Sequence, residues 1–150
     1  MAVNRELCRD KLASLLEDDL VTAEEIVEAV YNRKVDNPQG QSPIVCVLSA
    51  GSGRPPNVFE SGHGAEFHFE VQIWVLYADP DATPAWTEAD AEDRLDLIVK
   101  QVAGVIENNA AVAGFWDDID YDGRSTVADV AVRGGAAYVL ERIPVLVEIY

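Results

Sequence analysis

Hydrophobic residues recur at helical spacing in the first part of the chain. In residues 4–20 they share one helical face, formed by Leu7, Cys8, Leu12, Leu15 and Leu16. Thr22 and Glu25 have the spacing of a capping box, which predicts that a second helix starts there. That helix is predicted to end near Lys34, before a turn-forming cluster at residues 36–40.

Two strands with a long loop between them are predicted next. Residues 44–48 form a short, continuous, β-branched apolar run, which is typical of a strand buried on both faces. Residues 66–78 have an apolar residue at every second position, which predicts a strand with one core-facing side formed by Phe67, Phe69, Val71, Ile73, Val75 and Tyr77. Glycine and proline fill much of residues 50–66, so we expect a loop that contacts a neighbouring subunit or another protein.

The second half of the chain predicts one long helix followed by further strands. Thr87 caps a helix whose core stripe is Leu95, Ile98, Val99, Val102 and Ile106, and Asn108 and Asn109 are a plausible stop. Apolar and polar residues alternate over 115–121, and a weaker segment follows at 127–132. Residues 138–150 form a strand-like run, in which Pro144 indicates a sheet edge or a bulge because proline cannot donate a backbone hydrogen bond. The order α(α)-β-β-α-β-β predicts a single α+β domain over residues 1–150, with an antiparallel or mixed sheet and helices packed on one side.

The charge of the chain narrows the classes of function. The net charge is -16 and the sequence pI is about 4.2, with the basic residues scattered. Tight binding to nucleic acid is therefore not expected, and the acidity favours either plain solubility or a surface that DNA passes without sticking. No apolar run approaches the roughly 20 residues of a membrane span, and the first residues do not resemble a signal peptide. Cys8 and Cys46 are expected to be buried thiols rather than a disulfide.

One acidic segment has the spacing of a calcium loop. Asp118, Asp120 and Asp122 alternate before Gly123, and Asp129 stands at the twelfth position. Ser125 replaces the usual apolar residue, and an aspartate is short for the final bidentate contact. We therefore expect an exposed strand edge followed by a turn, with no metal and no cofactor, and keep these four aspartates as weak metal candidates.

No arrangement of nucleophile, base and acid is evident. His63 and His68 lie five residues apart without an obvious carboxylate partner, and we expect both to be exposed. The segment around Ser61 lacks the pattern of a nucleophile elbow, so no catalytic residue and no enzyme activity are predicted. Partner binding is instead assigned to Arg54, Val58 and Phe59 in the loop, and to Trp86 in a proline-rich connection.

The arrangement of elements resembles the tail terminator and neck (head–tail joining) proteins of long-tailed phages. The resemblance is carried by the N-terminal helical segment, the strand at 44–48, the glycine-rich loop, the strand at 67–77, the helix at 91–107 and the closing run at 138–150. It implies a structural virion protein, assembled in the host cytoplasm, that forms a hexameric ring. The ring would cap the tail tube, dock to the head-side connector and let genomic DNA through without specific binding, with no membrane involved.

Three other functions stay open at this point. A head-completion or connector protein of the neck would share the fold and differ in stoichiometry and docking surface. A calcium-regulated interaction module would depend on Asp118 to Asp129. A hydrolase using scattered carboxylates is the least supported of these functions.

Overall fold

The computed structural model describes residues 4–53, 64–79, 81, 83–131 and 136–150. Within these ranges the elements are α1 (Arg5–Glu17), which continues as a π-helical segment (Asp18–Ala23), then β1 (Ala29–Tyr31), β2 (Ile44–Gly53), β3 (Ala65–Leu76), α2 (Glu88–Asn108), β4 (Asp118–Tyr121), β5 (Thr126–Ala131) and β6 (Ala137–Ile149). The predicted α+β class is confirmed, since the six strands form one mixed sheet with two α-helices.

The sheet is built around three long strands. Its order is β1-β2-β3-β6-β4, and β5 also pairs with β6. The β1–β2 pair is parallel and the other pairs are antiparallel. Because β4 pairs with residues 145–148 of β6 and β5 with residues 137–142, the two short strands follow one another along the same edge.

Both helices pack on one face of the sheet, as predicted. Cys8, Leu12 and Leu16 of α1 join Leu95, Ile98 and Val102 of α2 in a cluster with one face of β2, β3 and β6. Leu12, Ile98 and Val102 are at most 1 % exposed. The cap predicted for α2 is present, since the Thr87 hydroxyl accepts from the Asp90 N–H while the Asp90 carboxylate accepts from the Thr87 N–H. Among the described residues, no helix is long and apolar enough to cross a bilayer.

A second, smaller cluster lies on the opposite face, at one end of the sheet. It contains Ile44, Cys46, Trp74, Tyr138 and Leu140. The segment that follows β1 contributes to its cover, because Val35 packs against it and Gln41 accepts hydrogen bonds from Tyr31 and Tyr138. This explains why the second face of β3 becomes apolar near its end.

The predicted second helix over residues 22–34 is wrong. Thr22 lies inside the π-helical segment, where the Glu24 N–H donates to the Asp19 carbonyl, so it caps nothing. Glu25 then takes a positive φ of 54°, and residues 29–31 pair with β2. Val30 packs toward the helices and Tyr31 toward the second cluster, an alternation that belongs to a strand.

Two expectations for the C-terminal half also need correction. The predicted order includes no strand over the weakly patterned residues 127–132, yet Thr126–Ala131 forms β5. Pro144 does not mark a sheet edge or a bulge, because β6 has β3 on one side and β4 and β5 on the other. The Pro144 carbonyl accepts from the Asp122 N–H, so the position without an N–H faces the junction between β4 and β5, and no bond to β3 is lost.

Candidate functional site: the acidic sheet face

The sheet face opposite the helices is strongly acidic away from the second cluster. We call this surface the acidic face, and its charged residues are Glu66, His68, Glu70, Asp118, Asp120, Asp122, Arg142 and Glu148. Glu148 pairs in register with Glu66 on one side and with Asp118 on the other, so three carboxylates lie side by side on three neighbouring strands. Like charges directly opposite each other destabilise a sheet, which indicates that this surface is kept for something other than stability.

His68 lies at the centre of the hydrogen bonds on this face. Its Nδ1 is 2.9 Å from the Asp122 Oδ2, and its Nε2 is 2.9 Å from the Glu66 Oε1. Glu66 belongs to the same strand, whereas Asp122 follows β4 and is placed by the hydrogen bond from its N–H to the Pro144 carbonyl. The imidazole therefore connects β3 to the β4–β5 junction across β6.

The two carboxylates favour the protonated form of His68. Burial alone lowers the pKa of His68, but the hydrogen bonds to Asp122 and Glu66, together with their negative charges, outweigh it and raise the pKa above the ordinary value of 6.5. With both ring nitrogens directed at carboxylates, neither is free to accept a proton from a nucleophile. The arrangement therefore suits a charged bridge rather than a general base.

A line of polar contacts continues along β3. The Gln72 amide donates to the Glu70 carboxylate at 2.7 Å, and the Trp74 indole N–H donates to the Gln72 amide oxygen at 3.2 Å. Gln72 is buried, and these bonds use both ends of its amide. This line joins the acidic face to the second apolar cluster.

The structure does not bring the four candidate metal ligands together. Asp118 and Asp120 pair opposite Glu148 and Leu146 and lie on the acidic face, whereas Asp129 pairs opposite Val139 and lies on the helix side. Seven positions of β6 separate Leu146 from Val139, roughly 24 Å at the usual rise of a strand. Asp122 bonds to His68, and across the described ranges no group of three or more histidine, cysteine, aspartate or glutamate side chains could hold a metal ion.

The structure describes one of the four predicted partner-binding residues. Arg54, Val58 and Phe59 lie outside the described residues. Trp86 is half-buried, its indole N–H donates to the Leu76 carbonyl at 2.7 Å, and the Arg94 guanidinium lies 5.6 Å from its ring centroid. Trp86 therefore ties the end of β3 to the start of α2, and its use as an anchor for a partner stays a prediction.

The two cysteines are buried thiols on opposite faces of the sheet. Cys8 belongs to the helix-side cluster and Cys46 to the second cluster, so they cannot form a disulfide with each other. Burial raises the pKa of the Cys8 thiol to about 11. Burial also raises the pKa of Cys46 to about 11, although a backbone hydrogen bond at Val35 and the charge of Arg33 oppose it. Neither thiol is a thiolate nucleophile at neutral pH.

Two features of the site were missed by reasoning from the sequence. His68 was expected to be an exposed residue without carboxylate partners, yet it contacts two. The Glu66–His68 contact had a signal, because residues two apart on a strand share a face. The contact with Asp122 had none, since it depends on β6 lying between β3 and β4.

No protein-family model matches the chain, and no curated protein shows significant sequence similarity to it.

Proposed function

We propose that this protein is a structural virion subunit, a tail terminator that forms a hexameric ring, caps the tail tube and docks to the head-side connector. It would have no enzymatic activity. The α+β class is present, and the order of the main elements roughly matches the predicted order on which the resemblance to phage tail and neck proteins is based.

The observation that carries this proposal is the presence of open sheet edges on opposite sides of the subunit. On one side β1 pairs only with residues 44–46 of β2, so residues 47–53 have no described strand beside them there. On the other side β5 pairs with β6 alone among the described strands. Two different edges on opposite sides allow a head-to-tail contact, which closes into a ring when the rotation per subunit fits.

The acidic face supports the part of the proposal that concerns DNA. Carboxylates dominate this surface, and the chain carries a net charge of -16. A surface of this kind repels phosphates because both carry negative charge, and it offers no cluster of basic groups whose binding would release counterions. A ring lined by it would let DNA through and would favour docking partners with basic surfaces.

The test is to determine the assembly state of the purified chain. Negative-stain electron microscopy and light scattering after size exclusion are expected to show a hexameric ring with a central hole. Addition of purified tail tubes is expected to place that ring at one end of each tube. A stable monomer that leaves tube ends bare would overturn the proposal. A ring that binds isolated connectors but ignores tubes would favour the head-completion or connector alternative.

A further inference from the structure

Two strand edges on opposite sides of the subunit are similar in length and have no described strand beside them. Residues 47–53 of β2 lie beyond the short pair with β1, and residues 48–53 are at least partly exposed. The six residues of β5 pair in unbroken register with β6 and with no other described strand. Each edge therefore offers backbone N–H and C=O groups to a strand of another chain.

The outer edge of β4, which follows the same side of the sheet as β5, is less open. The Ile119 N–H donates to the Ala110 carbonyl at 3.1 Å, and the Tyr121 N–H donates to the Asp120 carboxylate at 2.7 Å. These bonds use two backbone donors of a strand that has four residues. β5 is therefore the longer available edge on this side of the subunit.

Two arginines of α1 lie over the open edge of β2 on the helix side of the sheet. The Arg5 guanidinium donates to the Ser52 hydroxyl at 3.1 Å, and the Arg9 guanidinium donates to the Ser49 hydroxyl at 3.0 Å. Among the described residues neither arginine forms an ion pair, and the Arg9 Nε is buried without a hydrogen-bond partner. Within the described part of the subunit, these two positive charges are therefore bonded to neutral hydroxyls and not to carboxylates.

The helix side of β5 carries the opposite charge. Asp129 pairs opposite a residue of the helix-side cluster, so Asp129 and Val127 face that side, and both are exposed. The charge of Glu88, followed by burial and the charges of Asp129 and Glu92, raises the pKa of Tyr77, so three carboxylates act on one position near this edge. This surroundings would attract a positively charged neighbour.

We propose that β5 of one copy of this chain adds antiparallel to residues 47–53 of β2 in a second copy, with Asp129 facing Arg5 and Arg9. The proposal rests on the proposed ring and names the contact that closes it. Hydrogen bonds between a guanidinium and a carboxylate are roughly twice as strong as those between neutral groups. Asp129 of a neighbour is therefore a better acceptor for the two arginines than the serine hydroxyls.

The antiparallel direction is the one that brings these charges together. β2 and β6 run in the same direction, because each is antiparallel to β3, and β5 runs opposite to both. An antiparallel joint therefore repeats the orientation of the subunit, so that all helices lie on one side of the joined sheet and all acidic faces on the other. A parallel joint would turn the second copy over and would separate Asp129 from Arg5 and Arg9.

The joint requires that neighbouring subunits are offset along their strands. Through β6 and β3, β5 lies level with residues 44–46 of β2, where β1 is paired, and not with the open residues 47–53. Strands in a closed sheet are tilted, and closure requires an offset of this kind. A register shift at Ala50 marks a bulge, and the stronger local twist of a bulge suits a curved joint.

The test measures self-association of the full chain by sedimentation velocity at physiological salt. Asp129→Arg and the double variant Arg5→Glu/Arg9→Glu each place like charges across the joint, and we expect each to weaken association about tenfold or more. The combined variant Arg5→Glu/Arg9→Glu/Asp129→Arg restores opposite charges and is expected to recover most of the association. Asp120→Arg on β4 and Lys100→Glu on α2 make the same charge changes at other exposed positions and should leave association unchanged.

Recovery in the combined variant separates this contact from a merely structural role, because damage to the fold by the separate changes would not be repaired by adding them together. If the wild type forms rings and the separate variants form them equally well, or if the combined variant recovers nothing, the pairing of β5 with β2 is wrong and the ring stands. If the wild type stays monomeric at all concentrations, both the ring and the pairing are wrong.

Discussion

The imidazole of His68 and the carboxylate of Asp122 lie 2.9 Å apart, although β6 separates β3 from the end of β4. This contact joins two parts of the sheet that share no backbone hydrogen bond. Because the imidazole carries a positive charge only when it is protonated, the strength of its contact with the carboxylate depends on pH.

The first prediction is that stability falls as the pH rises through the pKa of folded His68. That pKa is raised above its unfolded value near 6.5, so the proton binds the folded state more tightly. The stabilisation is fully present below the unfolded pKa and is lost above the folded one. Urea unfolding of the wild type between about pH 6 and about pH 8 should show this fall, and His68→Gln should reduce it.

The other histidine provides the control for this experiment. His63→Gln removes the only other imidazole in the chain and leaves the His68 contacts in place. Its pH profile is expected to match that of the wild type. A His68→Gln profile as steep as the wild-type profile would show that the bridge does not contribute.

The second prediction concerns calcium. Asp118 and Asp120 lie on the opposite side of the sheet from Asp129, so the twelve-residue segment cannot surround one ion as a calcium loop does. Isothermal titration with calcium is expected to show no saturable binding in the micromolar range. Micromolar binding in the wild type that disappears in Asp120→Ala would contradict this and would restore the calcium-binding alternative.

The third prediction separates two positions on the core stripe of α2. Both Val99 and Val102 were expected to be buried between the helix and the sheet. Val102 is fully buried, but Val99 is half-buried and lines a cleft between α2, the β4–β5 connection and β6. Val102→Asp should therefore cost roughly 3 kcal/mol or more and make the protein insoluble. Val99→Asp should be tolerated better, because its carboxylate can reach the water in the cleft.

Solubility on expression, followed by urea unfolding of the soluble variants, measures the difference. Lys100→Asp, on the exposed side of the same helix, is the control and should behave like the wild type apart from its charge. Equal losses for Val99→Asp and Val102→Asp would mean that the cleft does not relieve the buried charge.

The elements that could be predicted are those with a long, regular pattern. β3 has an apolar residue at every second position along one face, and α2 has both a capping box and a continuous core stripe, so each was predicted with nearly its observed bounds. β1 and β5 could not be found in this way, because three to six residues with few large apolar side chains do not form a period. They become strands by adding backbone hydrogen bonds to β2 and β6, which no local pattern records.

The same distinction holds for the candidate site. The sequence predicted that Asp118 and Asp120 lie on one side of the sheet and Ile119 on the other, because side chains alternate along a strand. The position of Asp122 beside His68 follows from the register of three strands. This position depends on tertiary packing, so the sequence alone does not reveal it.

The last prediction concerns the glycine- and proline-rich loop, whose residues 54–63 lie outside the described ranges. β2 and β3 are in register as far as Gly53 and Glu66, so the hairpin does not need the loop for its alignment. Replacing residues 53–63 with a short glycine linker is therefore expected to preserve the fold. We expect the same change to impair ring formation or head joining, because Arg54, Val58 and Phe59 are predicted to contact a neighbouring subunit or the tail tube.

Two variants separate the contacts of this loop from its length. Val58→Ser/Phe59→Ser keeps the length of the loop and removes its apolar side chains, whereas the control Ser61→Ala changes the same loop and keeps Val58 and Phe59. Unfolding curves, electron microscopy and the length of tails assembled with each variant are the measurements. We expect Val58→Ser/Phe59→Ser to fold normally but to fail in assembly, since an interface loses most affinity when its buried apolar side chains are removed. Normal rings and tails of normal length from both the shortened loop and this variant would show that the loop is passive and that assembly depends on the sheet edges alone.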